Sequence, residues 1–381
     1  MSSFVPSPPV DLTIPTGNST TGRAILSMAL RRLFEDLKQL RLEGLPPDLA
    51  ADYRLLRKTL VSFLPGKPGA IASLLRSPSV AAPLRCLRNG SGDRETCVAE
   101  VVNQSFFQLH IQGAIDADIQ LQRRVPLLLA PLFGQSATGV HALSELDVRS
   151  NLFARVSDED EKNAIYLATG DNNPLRLVEA HPDKSGNQID LGEKDVATWV
   201  AALREALALI ERFLPAIRRE ASLFVRQFVP VGYDPESHLS ATYREAIGTV
   251  YLSLHPDPLM MAEAIIHELS HTKLHALLEL DAVLENDPRE AYPSPVRPDP
   301  RPLMGVLLAV HAFVPVAYLY DKIAEAGDPL SKVPTFSRRR AEIIGANADG
   351  AAVIEAHARP TPIGKGLLDE IKRWTSAAAP H

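Results

Sequence analysis

The sequence predicts an α+β fold rich in helix, with a small antiparallel sheet next to the helix that carries a His-Glu-x-x-His motif. Three observations predict it. Apolar residues recur at helical spacing through most of residues 23–148 and again after Pro258. Between residues 151 and 179 the texture changes to short runs of β-type residues separated by Asp, Asn and Gly. Directly before the motif helix, Ile247–Leu254 (I-G-T-V-Y-L-S-L) is β-type again.

In chain order, residues 1–22 are rich in Ser, Pro and Thr and read as a flexible N-terminal segment. Residues 23–64 read as two helices, parted at Pro46-Pro47 and closed by Pro65-Gly66. Residues 67–148 continue mostly helical, with a loop at Asn89-Gly90-Ser91-Gly92. The runs Asn151–Arg155, Ala164–Ala168 and Leu175–Glu179 suggest a small sheet. A long helix is expected from about Glu193 to Glu220, broken at Pro215, then a strand at Leu223–Val231. The division expected is a helical N-terminal region, 23–150, and a metal-binding catalytic region, 151–381, either separate or continuous.

A chain of 381 residues, 45% hydrophobic and 23% charged, has enough apolar surface for a large core. Its net charge of −6 gives no electrostatic basis for binding nucleic acid. Two cysteines, Cys86 and Cys97, are too few for a disulfide framework and fit a reduced compartment. The N-terminus has neither the basic nor the apolar region of a signal peptide, and no membrane span is expected. A cytoplasmic location is the expectation.

Pro258–Glu285 reads as one helix, with proline where a helix tolerates it, at the start. His267 and His271 are four residues apart, so they share a face about 6 Å apart along the axis. Imidazoles so spaced converge on one metal ion, with Glu268 beside them. Both flanks are apolar, where unpaired polar groups are costly and a metal would satisfy them.

Residues 287–302 hold six prolines in sixteen positions, which forbids helix and makes a stiff crossing. It spaces Arg297 and Arg301 on a backbone whose entropy is already reduced. The next helix, Leu303–Ala324, carries His311 in a nearly unbroken apolar run. His311 is either a satisfied core histidine or the third metal ligand.

Other third ligands fit less well. His275 lies about 12 Å from His267 along the axis, too far for one ion to span. The extended metzincin pattern fails, with Leu274 where Gly is needed and Leu277 where His is needed. A glutamate-ligand peptidase needs a carboxylate on a second apolar helix, which neither Glu285 nor Glu290 supplies.

Three pieces in order resemble the αKG-HExxH peptide β-hydroxylases, also described as HExxH motif-containing peptide modification proteins. They are G-T-V-Y-L-S at 248–253, the motif helix at 262–280, and Y-P-S-P-V-R-P-D-P-R-P-L-M-G-V-L-L-A-V-H-A-F at 292–313. The resemblance covers about 70 residues; R-P-D-P-R-P-L after the motif is not a peptidase feature. It implies an Fe(II)- and 2-oxoglutarate-dependent oxygenase that hydroxylates β-carbons of residues in a ribosomally made precursor peptide.

The residue chemistry is compatible with that implication. His267, His271 and His311 offer three donors on one face, leaving positions for 2-oxoglutarate and dioxygen. Arg301 or Arg297 suits the far carboxylate of 2-oxoglutarate, with Asp299 placed to hold one of them. Glu268 is assigned to orienting ligands or substrate, and strand 247–254 to pairing with an extended peptide. Two other readings stand beside this one. One is a zinc metallopeptidase, with Zn(II) and Glu268 as general base; the other is a peptide-binding partner whose metal only stabilises the helix.

Overall fold

The computed structural model describes residues 11–115, 119–123, 127–129, 133–135, 139–142, 152–157, 159–160, 163–178 and 186–377. The fold is α+β and helix-rich. Its Cα positions group into two compact units of interleaved segments: Met1–Ser27, Glu205–Phe224 and Asp257–His381 in one, Met28–Arg204 and Val225–Pro256 in the other. This division does not coincide with the boundary expected near residue 150.

The second unit begins with five helices. These are α1 (Thr20–Gln39, whose first turns belong to the other unit), α2 (Pro47–Phe63), α3 (Pro68–Arg76), α4 (Pro78–Asn89) and α5 (Arg94–Ile111). Four follow the expected turn chemistry. Proline opens α2, α3 and α4, and Gly90 closes α4 with φ +69°, a conformation that favours glycine. Asp93 caps α5, its side chain accepting from Thr96 N at 2.8 Å. Leu33, Leu56, Val102 and Phe106 are among the buried residues of the core these helices form. Cys86 and Cys97 are buried free thiols, pushed up by burial to about 12 and about 11.

Helix was expected up to residue 148, yet α5 ends at Ile111 and short strands follow. These are β1 (Gln120–Arg123), β2 (Leu127–Leu129), β3 (Phe133–Gln135) and β4 (Gly139–Ala142), paired β1 with β4 and β2 with β3. Residues 143–150 lie outside the described residues.

The main sheet has the order β5-β6-β7-β9-β8: β5 (Phe153–Arg155), β6 (Tyr166–Ala168), β7 (Gln227–Tyr233), β8 (Ser240–Ala241) and β9 (Thr249–Leu254). It is mixed rather than antiparallel, because β6–β7 and β7–β9 are parallel. A parallel pair needs a crossover, and α6 (Val196–Phe213) and α7 (Pro215–Phe224) lie between β6 and β7 in the chain, parted at Pro215 as expected. Leu175–Val178 is a turn, not a strand: Asn173 accepts from Leu175 N through its side chain and from Arg176 N through its carbonyl. Nor is β9 an open edge for a peptide, since β7 and β8 flank it and all six of its residues are buried.

The first unit is built on α8 (Pro258–Leu278), capped by Asp257, whose side chain accepts from Leu259 N at 2.8 Å. After it come the two-residue strands β10 (Ala291–Tyr292) and β11 (Arg301–Pro302), then α9 (Leu303–Glu325), α10 (Pro334–His357) and α11 (Pro362–Ala377). The proline-rich segment is thus a hairpin closed by the β10–β11 pair. Helix α9 packs on α8, α10 and α11. Gly350 of α10 allows the close approach: a Cβ there would stand 2.4 Å from Val310 Cγ2 and 2.9 Å from Pro295 Cγ. Helix α9 is long and apolar enough to cross a membrane, and 72% of that stretch is buried, as in a core helix.

Candidate metal centre

Helix α8 is buried on nearly every side. Between Met261 and Leu277 every residue is buried except His267, His271 and His275, which are half-buried. These three recur every fourth residue, so the one stripe of this stretch that reaches the surface is made of imidazoles. Ser270 and Thr272 are accommodated by donating to Ile266 O and Glu268 O, at 2.8 and 2.9 Å.

The rings of His267 and His271 meet edge to face, with their Nε2 atoms 2.9 Å apart. Two ligands at right angles on a metal with bonds of about 2.1 Å are separated by about 3.0 Å, so the pair is spaced as neighbouring ligands would be. His275 stacks on His271 with ring centroids 6.2 Å apart, continuing the row rather than closing on the same point. Burial lowers the His271 pKa, while the charge of buried Glu268 opposes that shift. Its Nδ1 is buried and has no hydrogen-bond partner.

His311 sits on α9 with 1% of its surface exposed. It donates from Nε2 to the Leu12 carbonyl at 3.0 Å, and its Nδ1 is a buried atom without a hydrogen-bond partner. Burial pushes its pKa down to about 3; charge on Lys273 or His271 acts in the same direction, and the Leu12 carbonyl opposes it. The structure brings two of the three expected ligands together. Among the described residues no group of three His, Cys, Asp or Glu is close enough to hold one ion. The donor set nonetheless fits a metal in kind: two Nε2 atoms already juxtaposed, and a third imidazole whose second nitrogen is tied to a carbonyl, as metal-binding histidines usually are.

Arg297 and Arg301 are brought together on the hairpin. Each contacts the same carboxylate through Nε, Arg297 at 2.9 Å and Arg301 at 3.2 Å from Asp299. Asp299 thus holds both arginines, where one was expected, and their guanidinium groups hold its pKa below the usual carboxylate range.

Several supporting residues were missed. Phe313 packs edge-on against His267 at 4.5 Å between centroids, and the Arg339 guanidinium lies over the Phe313 ring at 6.0 Å. Arg339 and Tyr320 both donate to buried Glu263, one turn before His267. Lys273 and Glu220 form a fully buried ion pair at 3.0 Å, and Lys273 also donates to the Asp11 carbonyl at 2.7 Å. Lys273 was the available signal, since a lysine in so apolar a helix demands a buried partner.

No protein-family model matches the sequence, and neither does any curated protein.

Proposed function

We propose that this chain is a cytoplasmic, Fe(II)- and 2-oxoglutarate-dependent oxygenase that hydroxylates β-carbons of residues in a ribosomally made precursor peptide. The observation that carries the reading is the imidazole stripe: two juxtaposed histidines at the half-open face of a helix that is otherwise buried. The resemblance of residues 248–313 to the peptide hydroxylases supplies the cosubstrate and the substrate class.

In this reading His267 and His271 would hold the ion through Nε2, and His311 through Nδ1. Bound iron, with 2-oxoglutarate and dioxygen, supplies the oxidation: one oxygen atom enters a substrate C–H bond, and the cosubstrate leaves as succinate and carbon dioxide. The protein's own residues prepare for that. Burial keeps His311 neutral near pH 7 and favours the neutral form of His271, so lone pairs are available to a ligand-binding ion. The half-exposed stripe leaves the site accessible to a peptide, and Phe313 fixes the plane of His267. Arg301, or Arg297, takes the far carboxylate of 2-oxoglutarate, with Asp299 keeping both guanidinium groups oriented until it binds.

One observation favours a second reading: Glu268 is buried close enough to His271 to influence its proton affinity, as a general base beside a zinc-bound water would be. Metal exchange separates the two. Iron-loaded protein is expected to convert 2-oxoglutarate to succinate, and zinc-loaded protein to leave peptides intact. Peptide cleavage by the zinc form that disappears in Glu268→Gln, with no succinate from the iron form, would replace the oxygenase by a peptidase.

A further inference from the structure

The N-terminal segment, expected to be flexible, is among the most tightly bound parts of the first unit from residue 11 onward. Leu12, Thr13 and Ile14 are exposed by only 2%, 3% and 4%. Three helices grip successive residues through the main chain. Lys273 of α8 donates to the Asp11 carbonyl at 2.7 Å, and His311 of α9 donates to the Leu12 carbonyl at 3.0 Å. Glu370 of α11, itself 3% exposed, accepts from Leu12 N at 2.8 Å, from Thr13 N at 3.1 Å and from the Thr13 hydroxyl at 2.5 Å. Further along, Ser19 donates to Glu220, the partner of Lys273.

A carbonyl oxygen only accepts. The neutral imidazole facing it must therefore carry its proton on Nε2, which leaves a lone pair on Nδ1. In His311 that Nδ1 is the buried atom without a partner. From this juxtaposition we infer that Asp11–Thr13 is a positioning element of the histidine site. The Leu12 carbonyl holds His311 in one tautomer and one ring orientation, with Nδ1 presented as a ligand atom, and Glu370 holds the Leu12 peptide in place. The inference rests on His311 being the third ligand of the proposed centre; the control of its tautomer does not.

The test uses Glu370→Ala in the full chain, because Glu370 touches neither the rings nor the ion. Two readouts are taken: cobalt(II) affinity by absorbance, and the ring ¹⁵N shifts of His311 in metal-free protein. Cobalt affinity is expected to fall about 10–100-fold, the usual loss when a ligand's outer hydrogen bonding is disturbed. The wild-type His311 shifts should report a single Nε2–H tautomer, moving toward the exchange-averaged pattern in the variant, with His267 and His271 unchanged. Glu370→Gln, which keeps one acceptor, should recover part of both effects. If Glu370→Ala does not fold, Glu370→Gln in the full chain carries the test alone, with both effects in the same direction and smaller. Unchanged His311 shifts in the variant overturn the inference. So does unchanged cobalt affinity in Glu370→Ala when His311→Ala weakens binding. A wild-type protein that binds no cobalt but shows the tautomer change would defeat the metal reading while leaving the control of His311 by this segment in place.

Discussion

Lys273 stands two residues beyond His271, and its partner Glu220 projects from α7, so their ion pair ties the motif helix to its neighbour. Each side chain is 2% exposed, and both are fully engaged: Lys273 Nζ on Glu220 and the Asp11 carbonyl, Glu220 on Lys273 and Ser19. Lys273→Met removes the cation and leaves a buried carboxylate with one hydroxyl donor. Breaking a buried pair from one side costs about 3–5 kcal/mol, because the remaining charge is left uncompensated. At a urea dependence of about 2 kcal/mol per molar, the unfolding midpoint of the unit should drop by roughly 2 M. Glu220→Leu should cost a similar amount. The double variant leaves no buried charge, so it should cost less than the two singles together by at least about 2 kcal/mol. The chain's two tryptophans fall one in each unit, Trp199 and Trp374. Measuring every variant in a Trp199→Phe background makes Trp374 fluorescence the reporter of the first unit. Single variants costing under about 1 kcal/mol, or an additive double variant, would mean that this ion pair does not hold α8 to α7.

Two further outcomes are expected. In chelator-treated protein the depressed pKa of His311 means that below about pH 6.5 the unfolded chain binds a proton the folded chain refuses. Stability should therefore be full above that pH and fall as pH drops toward about 3, with His271 acting in the same direction; His311→Gln should flatten the slope of urea midpoints between about pH 7 and pH 5, and an unchanged slope would contradict it. Gly350→Ala would drive a methyl against Val310 and Pro295 and should cost about 1–3 kcal/mol by the same fluorescence assay, whereas a neutral result would mean that α9 and α10 separate without penalty.

The elements nearest the motif were legible because their signals are local. Pro258, Pro215 and the apolar run from Leu303 mark α8, the α6–α7 break and α9 close to where they occur. The antiparallel sheet was misjudged because β-type residues announce a strand but not its partner: the parallel pairing of β6, β7 and β9 depends on a crossover outside the strands. Leu175–Val178 has strand-like residues, but the Asn173 turn determines its shape. In the site, the four-residue spacing of His267 and His271 foretold their meeting, and Asp299 was visible between its two arginines. The role of Leu12 was not, because its anchors come from residues about 300 and more positions away. A Ser/Pro/Thr-rich stretch reads as flexible until Glu370, Lys273 and His311 supply the main-chain partners that hold it.

Titration of anaerobic, iron-loaded protein with 2-oxoglutarate, followed by the metal-to-ligand charge-transfer absorbance, decides whether the histidine site is an oxygenase centre. A saturable band is expected in the wild type and should be lost in His267→Ala and His271→Ala. Arg301→Ala should retain iron but weaken cosubstrate binding. Removing one partner of a largely buried charged contact costs about 2–5 kcal/mol, or roughly 30- to 5000-fold; with 29% of the Arg301 side chain exposed, the lower part of that range is expected. Lysine at 301 should rescue only in part, lacking the planar two-donor fork. Arg297→Ala should have the smaller effect. A wild type that binds iron and gives no band, or a band indifferent to both arginines and to the histidine pair, would rule out the oxygenase.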